Sequence, residues 1–157
     1  MLFAGFLEES QFRALIGAST YYVNTSSAEG LCLPLMEFLS AGKPAVAPDH
    51  TAMADYINTD IAFVLQASLE HNVWPFDPRD IFTTMRYRLN WQSLVTAYEQ
   101  SYLLATEHGP QYRTMSDAAQ LAMRHFCALE VVQAKLSEAI GLTAPANVIQ
   151  DAGMVSA

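Results

Sequence analysis

The chain has 157 residues, of which 52% are hydrophobic, a size and composition typical of one domain with a single packed core. Its formal net charge of −8 argues against non-specific binding to nucleic acid and against docking to anionic lipid by charge alone. The two cysteines and four histidines lack metal-ligand spacing, and neither a signal peptide nor a membrane-spanning stretch is evident. We therefore expect a cytoplasmic protein without a metal.

Short strands and helices alternate in the first half of the chain. The predicted elements cover residues 2–6, 8–17, 20–24, 34–41, 45–47, 52–57 and 62–65. This alternation predicts an α/β fold with a parallel sheet covered by helices. In such sheets ligands bind beyond the carboxyl ends of the strands, where residues 24–33 fall.

From residue 77 onward the pattern predicts helices only. Asp77-Pro78 is typical of a helix start. Four apolar stripes follow at helical spacing, which we interpret as core: Ile81, Met85 and Leu89; Trp91, Leu94, Val95, Tyr98 and Tyr102; Tyr112, Met115, Ala119, Ala122 and Phe126; Leu129, Val132, Leu136 and Ile140. Residues 69–79 fit neither a helix nor a regular strand. We expect Trp74 to plug the core there, the alternative being a loop near an active cleft.

The predicted organisation has three parts. Residues 1–66 form the α/β part, residues 67–142 form a loop and helices that pack on it, and residues 143–157 form a frayed tail.

One loop of the α/β part carries two glutamates with seven residues between them. Glu29 precedes Gly30, and Glu37 lies three residues after Pro34. Pro34 suits the first turn of a helix, and Gly42 suits the left-handed position after its end. The sequence therefore predicts a turn that opens into a short helix, with one carboxylate at the turn and the other inside the helix.

The chemistry of such a turn suits a diphosphate flanked by hydroxyl groups. The first amides of a helix have no internal partner and bind anions, whereas carboxylates repel phosphate and accept hydrogen bonds from sugar hydroxyls. Taken singly, either glutamate is more often a structural or solvated residue. The ordered set with Gly30, Pro34 and Gly42 favours a nucleotide-sugar site.

A family resemblance rests on these same residues. The chain is compared with the pattern S-x-x-E-G-x-x-L-P-x-x-E-x-x-x-x-G-x-P-V. It matches with Ser26, Glu29, Gly30, Leu33, Pro34, Glu37, Gly42 and Pro44, and with Ala45-Val46 where the family's apolar strand follows. It resembles the donor-binding half of retaining GT-B glycosyltransferases of the family 4-like group. The resemblance covers residues 2–65 and implies part of a Rossmann-like domain, followed by C-terminal helices.

The resemblance also implies roles for the motif residues. The chain would bind a nucleotide-sugar donor and take part in metal-independent transfer of the sugar to an acceptor hydroxyl. Glu29 would face the donor sugar at the catalytic centre, and Glu37 would accept from the ribose hydroxyls. The amides of Gly30, Leu31, Cys32 and Leu33 would hold the diphosphate, with Ser26 in the same donor-binding motif.

The chain departs from the family pattern in two ways. It has Asp49-His50-Thr51-Ala52 where many relatives have a glycine pair. It also contains neither the arginine and lysine that relatives place on earlier strands nor their N-terminal acceptor-binding domain. We therefore expect a fragment or a chain that needs a partner, inactive alone, with any peripheral membrane association made through that other domain.

Two alternatives belong to other classes. The chain could be a non-catalytic α/β module that binds a nucleotide or a protein. It could also be a flavodoxin-like or receiver-like regulatory domain. Such a domain has an acidic cluster after its first strand, which Glu8-Glu9 could imitate, but the spacing of Glu29 and Glu37 argues against it.

Overall fold

The computed structural model describes residues 5–74 and 76–142, in two compact units within residues 1–124 and 125–157. The elements in chain order are α1 (Glu9–Ala18), β1 (Tyr22–Val23), α2 (Leu33–Ser40), β2 (Ala45–Pro48), a 3-10 turn (Thr51–Asp55), β3 (Ala62–Leu65), β4 (Ala67–Val73), β5 (Thr83–Leu89), α3 (Trp91–Glu107), α4 (Gly109–Cys127) and α5 (Leu129–Ala139). Most of the first predicted strand, residues 2–6, and the predicted tail lie outside the described residues.

A parallel three-stranded sheet confirms the predicted α/β class. Its order is β1-β2-β3, with Tyr22 opposite Ala45 and Ala45 opposite Ala62. Every residue of β2 is buried, as expected for the central strand of a sheet covered on both faces. The fold is consistent with part of a Rossmann-like GT-B domain.

Helix α2 forms where the glutamate motif predicts it. Pro34 lies in the first turn, and Leu35, Phe38 and Leu39 are buried on the inward face. Gly42 has a φ of 71°, the left-handed conformation that ends the helix at little cost for glycine. Glu37 lies on the opposite, exposed side.

The structure of residues 67–89 differs from the one predicted from the sequence. The predicted loop and first helix of this region are an antiparallel hairpin of β4 and β5, paired from Ala67 with Leu89 to Val73 with Thr83. Ile81, Met85 and Leu89 are spaced four residues apart. This spacing places them on one face of a helix, and it also places them on one face of a strand, where every second residue shares a face. Threonine and tyrosine at the positions between them favour the strand.

Two further expectations about this region were wrong. Trp74 is more than half exposed and does not plug the core. Asp77 does not start a helix. Its buried carboxylate instead accepts hydrogen bonds from the amides of Arg79, Ile81 and Phe82, in the turn that joins the two strands.

The later helices form as predicted, although Trp91, Tyr98 and Tyr102 of the second apolar stripe are exposed and are not core. Asn90 caps α3 by accepting a hydrogen bond from the Ser93 amide at 2.9 Å, and α4 begins at Gly109. In the second unit, the apolar stripe of α5 is exposed and is not core there: Leu129, Val132, Leu136 and Ile140. No helix within the described residues is long and apolar enough to cross a membrane.

Candidate functional site

Two loops meet at the carboxyl ends of β1 and β2. The first, residues 24–33, connects β1 to α2 and is called the Glu29 loop. The second, residues 49–51, follows β2 and is called the His50 loop. Because β1 and β2 are parallel neighbours, both loops leave the same edge of the sheet, where open α/β sheets bind ligands.

Asn24 ties the two ends of the Glu29 loop together. Its side chain is buried, and its Oδ1 accepts a hydrogen bond from the Ser26 amide at 2.7 Å. Its Nδ2 donates to Cys32 Sγ at 2.9 Å and lies 3.6 Å from Met53 Sδ. The loop is therefore shaped by one buried amide side chain before it enters α2.

Each of the two loops holds a non-glycine residue in the left-handed conformation. The φ angles are 59° at Cys32 and 52° at Thr51. Such backbone costs about 1–3 kcal/mol per residue and tends to occur at functional sites, and it is especially rare for a β-branched side chain such as that of Thr51. Thr51 Oγ1 donates to the His50 carbonyl at 2.7 Å and accepts from the Glu29 amide at 3.1 Å, which holds the loops together.

One oxygen of the Glu29 carboxylate is held by a hydrogen bond within the loop. Glu29 Oε1 lies 2.5 Å from Ser26 Oγ, which is also within hydrogen-bonding distance of Asn24 Oδ1. A hydroxyl has one hydrogen to donate, and an ionised carboxylate is a stronger acceptor than an amide oxygen that already accepts a bond. Ser26 therefore donates to Glu29, and within the described residues Glu29 Oε2 has no hydrogen bond.

Several carbonyls of the Glu29 loop are occupied, while the amides that precede α2 are free. The carbonyls of Ser27, Leu31 and Cys32 accept hydrogen bonds from Tyr87 N, Tyr56 OH and Met36 N at 2.9, 2.7 and 3.3 Å. Within the part of the chain that the structure describes, the amides of residues 30–33 donate no hydrogen bond. The loop thus offers unsatisfied donors just before the positive end of the α2 dipole.

Two tyrosines lie beside the loop, Tyr22 half-buried and Tyr56 buried. Burial, together with the nearby Cys32 and Glu29, raises the pKa of Tyr22 to about 12. Burial and the same two neighbours raise the pKa of Tyr56. Both hydroxyls stay protonated at neutral pH, so Tyr56 remains a donor to the Leu31 carbonyl.

The predicted site residues are brought together in part. Ser26, Glu29 and Cys32 share hydrogen bonds with Asn24 or with one another, whereas Glu37 lies one turn into α2. Gly30, Leu31 and Leu33 are exposed at the loop surface. Ser26 contacts the carboxylate of Glu29, which makes it a positioning neighbour of that group.

His50 and Tyr87 connect this site to the hairpin. The rings stack at 4.2 Å between centroids with an interplanar angle of 12°, and His50 is buried. Burial lowers the pKa of His50 below its ordinary value of 6.5, so the ring is neutral at physiological pH. The departure from the family pattern pointed to His50, but nothing in the sequence pointed to Tyr87, because its segment reads as a helix.

A cavity of about 700 Å³ lies elsewhere in the first unit. It is lined mainly by residues of α3 and α4, together with Thr59 and Asp60 before β3 and Phe63 within it. It shares no residue with the Glu29 loop or the His50 loop.

Comparison with known proteins supports the class of protein to which the paired glutamates point. Residues 1–71 match the family model of glycosyl transferases group 1. The match covers 71 of the 157 residues, includes both loops and ends within β4. No curated protein and no solved structure matches the chain significantly. The match supports a glycosyltransferase in general terms.

Proposed function

We propose that the chain is the donor-binding part of a retaining glycosyltransferase that uses a nucleoside diphosphate sugar. The observation that carries the proposal is that the amides of residues 30–33 donate no hydrogen bond within the described residues, while the carbonyls of Leu31 and Cys32 accept bonds from the protein. Four successive free amides before a helix N-terminus form a cradle for phosphate oxygens. The family match over residues 1–71 supports the same conclusion.

The two glutamates bind the groups on either side of the diphosphate. Glu29 has one oxygen held by Ser26, and its other oxygen accepts from a hydroxyl of the donor sugar. Glu37, exposed on α2, accepts from the ribose hydroxyls. Glu29 positions the sugar and is not a covalent nucleophile.

In the proposed reaction, the bond between the anomeric carbon and the diphosphate breaks as an acceptor hydroxyl attacks from the same face. The acceptor proton passes to the departing phosphate oxygen. Charge that develops on the diphosphate is stabilised by the free amides and the α2 dipole, without a resident metal. A separate domain holds the acceptor, as in the enzymes that the sequence resembles.

One observation favours a second candidate function, a nucleotide-binding module without catalysis. Within the described residues, no lysine or arginine side chain makes a hydrogen bond or ion pair with the Glu29 loop. A leaving diphosphate is normally stabilised by cationic side chains as well as by amides. Such a module would bind the donor and leave it intact.

Titration of the chain with UDP-, GDP- and ADP-sugars, followed by NMR of the backbone amides, tests the proposal. We expect shifts concentrated at residues 30–33, and weaker binding in Glu29→Gln but not in Glu99→Gln, an exposed carboxylate on α3. Unchanged chemical shifts of these amides with every nucleotide sugar would contradict the proposal. Release of nucleoside diphosphate when an acceptor domain is added separates the transferase from the binding module.

A further inference from the structure

The turn of the β4–β5 hairpin presents large apolar side chains to solvent. The hairpin tip, defined as residue 74 and residues 76–82, carries four of them with high fractional exposure: Trp74 55%, Phe76 82%, Ile81 62% and Phe82 60%. A cluster of exposed aromatic and aliphatic groups on one turn is unfavourable in water and marks an interaction surface. The tip lies outside the 71 residues that match the glycosyltransferase family model.

Most backbone amides of the tip donate hydrogen bonds within the turn. The buried carboxylate of Asp77 accepts from the amides of Arg79, Ile81 and Phe82 at 2.9–3.1 Å. Trp74 N donates to the Phe82 carbonyl at 2.9 Å, which closes the turn. These bonded amides therefore keep their acceptors when water leaves the turn, which lowers the cost of dehydration for the backbone donors.

The hairpin also differs in charge from the remainder of the chain. Residues 67–89 hold three of the eight basic and three of the sixteen acidic residues, so the whole net charge of −8 lies elsewhere. Two of the hairpin's acids, Glu70 and Asp77, are paired with arginines, which leaves Asp80 as its exposed carboxylate. Arg79 and Arg88 remain well exposed, and the Arg79 guanidinium lies 5.6 Å from the centre of the Phe82 ring.

The hairpin is attached to the sheet at its base. Tyr87 N donates to the Ser27 carbonyl at 2.9 Å, and Asn90 N donates to the Gln66 carbonyl at 2.8 Å. Seven-residue strands extend roughly 20 Å, about twice the distance over which physiological salt screens charge. The length of the hairpin therefore separates the tip from this attachment.

We propose that the hairpin tip inserts into the headgroup region of a phospholipid bilayer. Tryptophan and phenylalanine favour the membrane–water interface, and guanidinium groups bind lipid phosphates. A second copy of the chain is a poorer partner because each copy carries a charge of −8. This contact belongs to the chain's own hairpin and does not depend on the proposed sugar transfer.

The two tryptophans of the chain give a direct test. Trp74 is at the tip, and Trp91, which is 74% exposed, follows the base of the hairpin. Trp91→Phe leaves Trp74 as the reporter, and Trp74→Phe leaves Trp91. With phosphatidylcholine vesicles, we expect the emission of Trp74 to shift to the blue and to be quenched by brominated lipids, while Trp91 is unaffected. Equal responses of the two reporters, or none at Trp74, would overturn the proposal.

A substitution test separates insertion from non-specific adhesion. Phe76→Ser with Phe82→Ser should lower the vesicle partition coefficient by about tenfold or more, because two partly inserted rings are lost. Leu129→Ser with Leu136→Ser is the matched control, since it removes two equally exposed apolar side chains from α5. The proposal is wrong if both pairs lower partitioning alike, or if Trp74 shifts with protein concentration when no vesicles are present, which indicates self-association.

Discussion

The Glu29 loop and the hairpin tip are both turns organised around a carboxylate, yet they use it in opposite ways. In the tip, Asp77 accepts hydrogen bonds from three amides of its own turn. In the Glu29 loop, the carboxylate accepts from a serine hydroxyl, and the amides of residues 30–33 are left free among the described residues. The first arrangement closes a turn against water, and the second leaves donors for a ligand.

The comparison shows that a carboxylate beside a turn is not evidence of a binding site by itself. What distinguishes the two turns is whether the backbone donors are already used. Backbone strain points the same way, because Cys32 and Thr51 both adopt left-handed conformations where the Glu29 and His50 loops meet. Five predictions test the distinction, from the largest expected effect to the smallest.

Glu29→Gln should have the largest effect. In a transfer-competent enzyme, loss of the charge that orients the donor sugar should lower kcat by about a hundredfold, as for other preorganised polar groups at a reacting centre. Steady-state kinetics measure the change, with Glu99→Gln as the control. A kcat unchanged from the wild type would show that Glu29 is a structural carboxylate like Asp77.

Glu37→Ala should weaken donor binding without removing turnover. Loss of the acceptor for the ribose hydroxyls costs about 1–3 kcal/mol, which corresponds to roughly 5- to 150-fold in Kd. Isothermal titration with the preferred nucleotide sugar measures it. The ribose assignment fails if the 2′-deoxyribose form of the donor loses the same affinity in the variant as the natural donor does.

Asp77→Asn should loosen the hairpin tip and leave the Glu29 loop intact. An asparagine side chain offers one acceptor oxygen in place of two, so hydrogen exchange at the amides of Ile81 and Phe82 should accelerate by about tenfold, the loss of one ordinary hydrogen bond. Asp80→Asn, a change at the exposed neighbouring carboxylate, is the control. Equal acceleration in the two variants would refute the role of Asp77.

The same turn has a defined pH dependence. Hydrogen bonds from the Phe82, Arg79 and Ile81 amides hold the pKa of Asp77 below its ordinary value of 3.8. A lowered carboxyl pKa means that the stabilisation is complete above the unfolded value and is lost as pH falls towards the folded value. Amide protection at the tip should therefore decline below about pH 3.8 in the wild type. It should decline less in Asp77→Asn.

His50→Gln should have the smallest effect, a change in how stability depends on pH. Burial lowers the pKa of His50, so the unfolded chain takes up a proton before the folded chain does as pH falls below 6.5. The free energy of unfolding should then decrease towards acid pH. Its slope against pH should correspond to the uptake of at most about one proton on unfolding. Urea unfolding at several pH values should show this slope in the wild type and in Tyr87→Phe, and a smaller slope in His50→Gln.

Local sequence signals identified the elements around the Glu29 loop. Pro34, Gly42 and the alternation of apolar residues act on their own backbone, so α2, β2 and β3 form close to where they were predicted. The hairpin was missed because Ile81, Met85 and Leu89 fit two periods at once. Cross-strand pairing with residues 67–73 decided between them, and pairing is not visible in one segment alone.

By itself, the sequence determined the α/β class, the turn that opens into α2 and the presence of two glutamates there, since these depend on local backbone preferences and residue order. Tertiary structure decided which donors of that turn are free. Thr51 and Tyr56, at the two ends of the 3-10 turn, and Tyr87, in β5, join Asn24 of the loop itself in occupying backbone and side-chain groups of residues 26–32. Hydrogen-bond satisfaction depends on which distant groups arrive at a site, and only the folded chain brings them together.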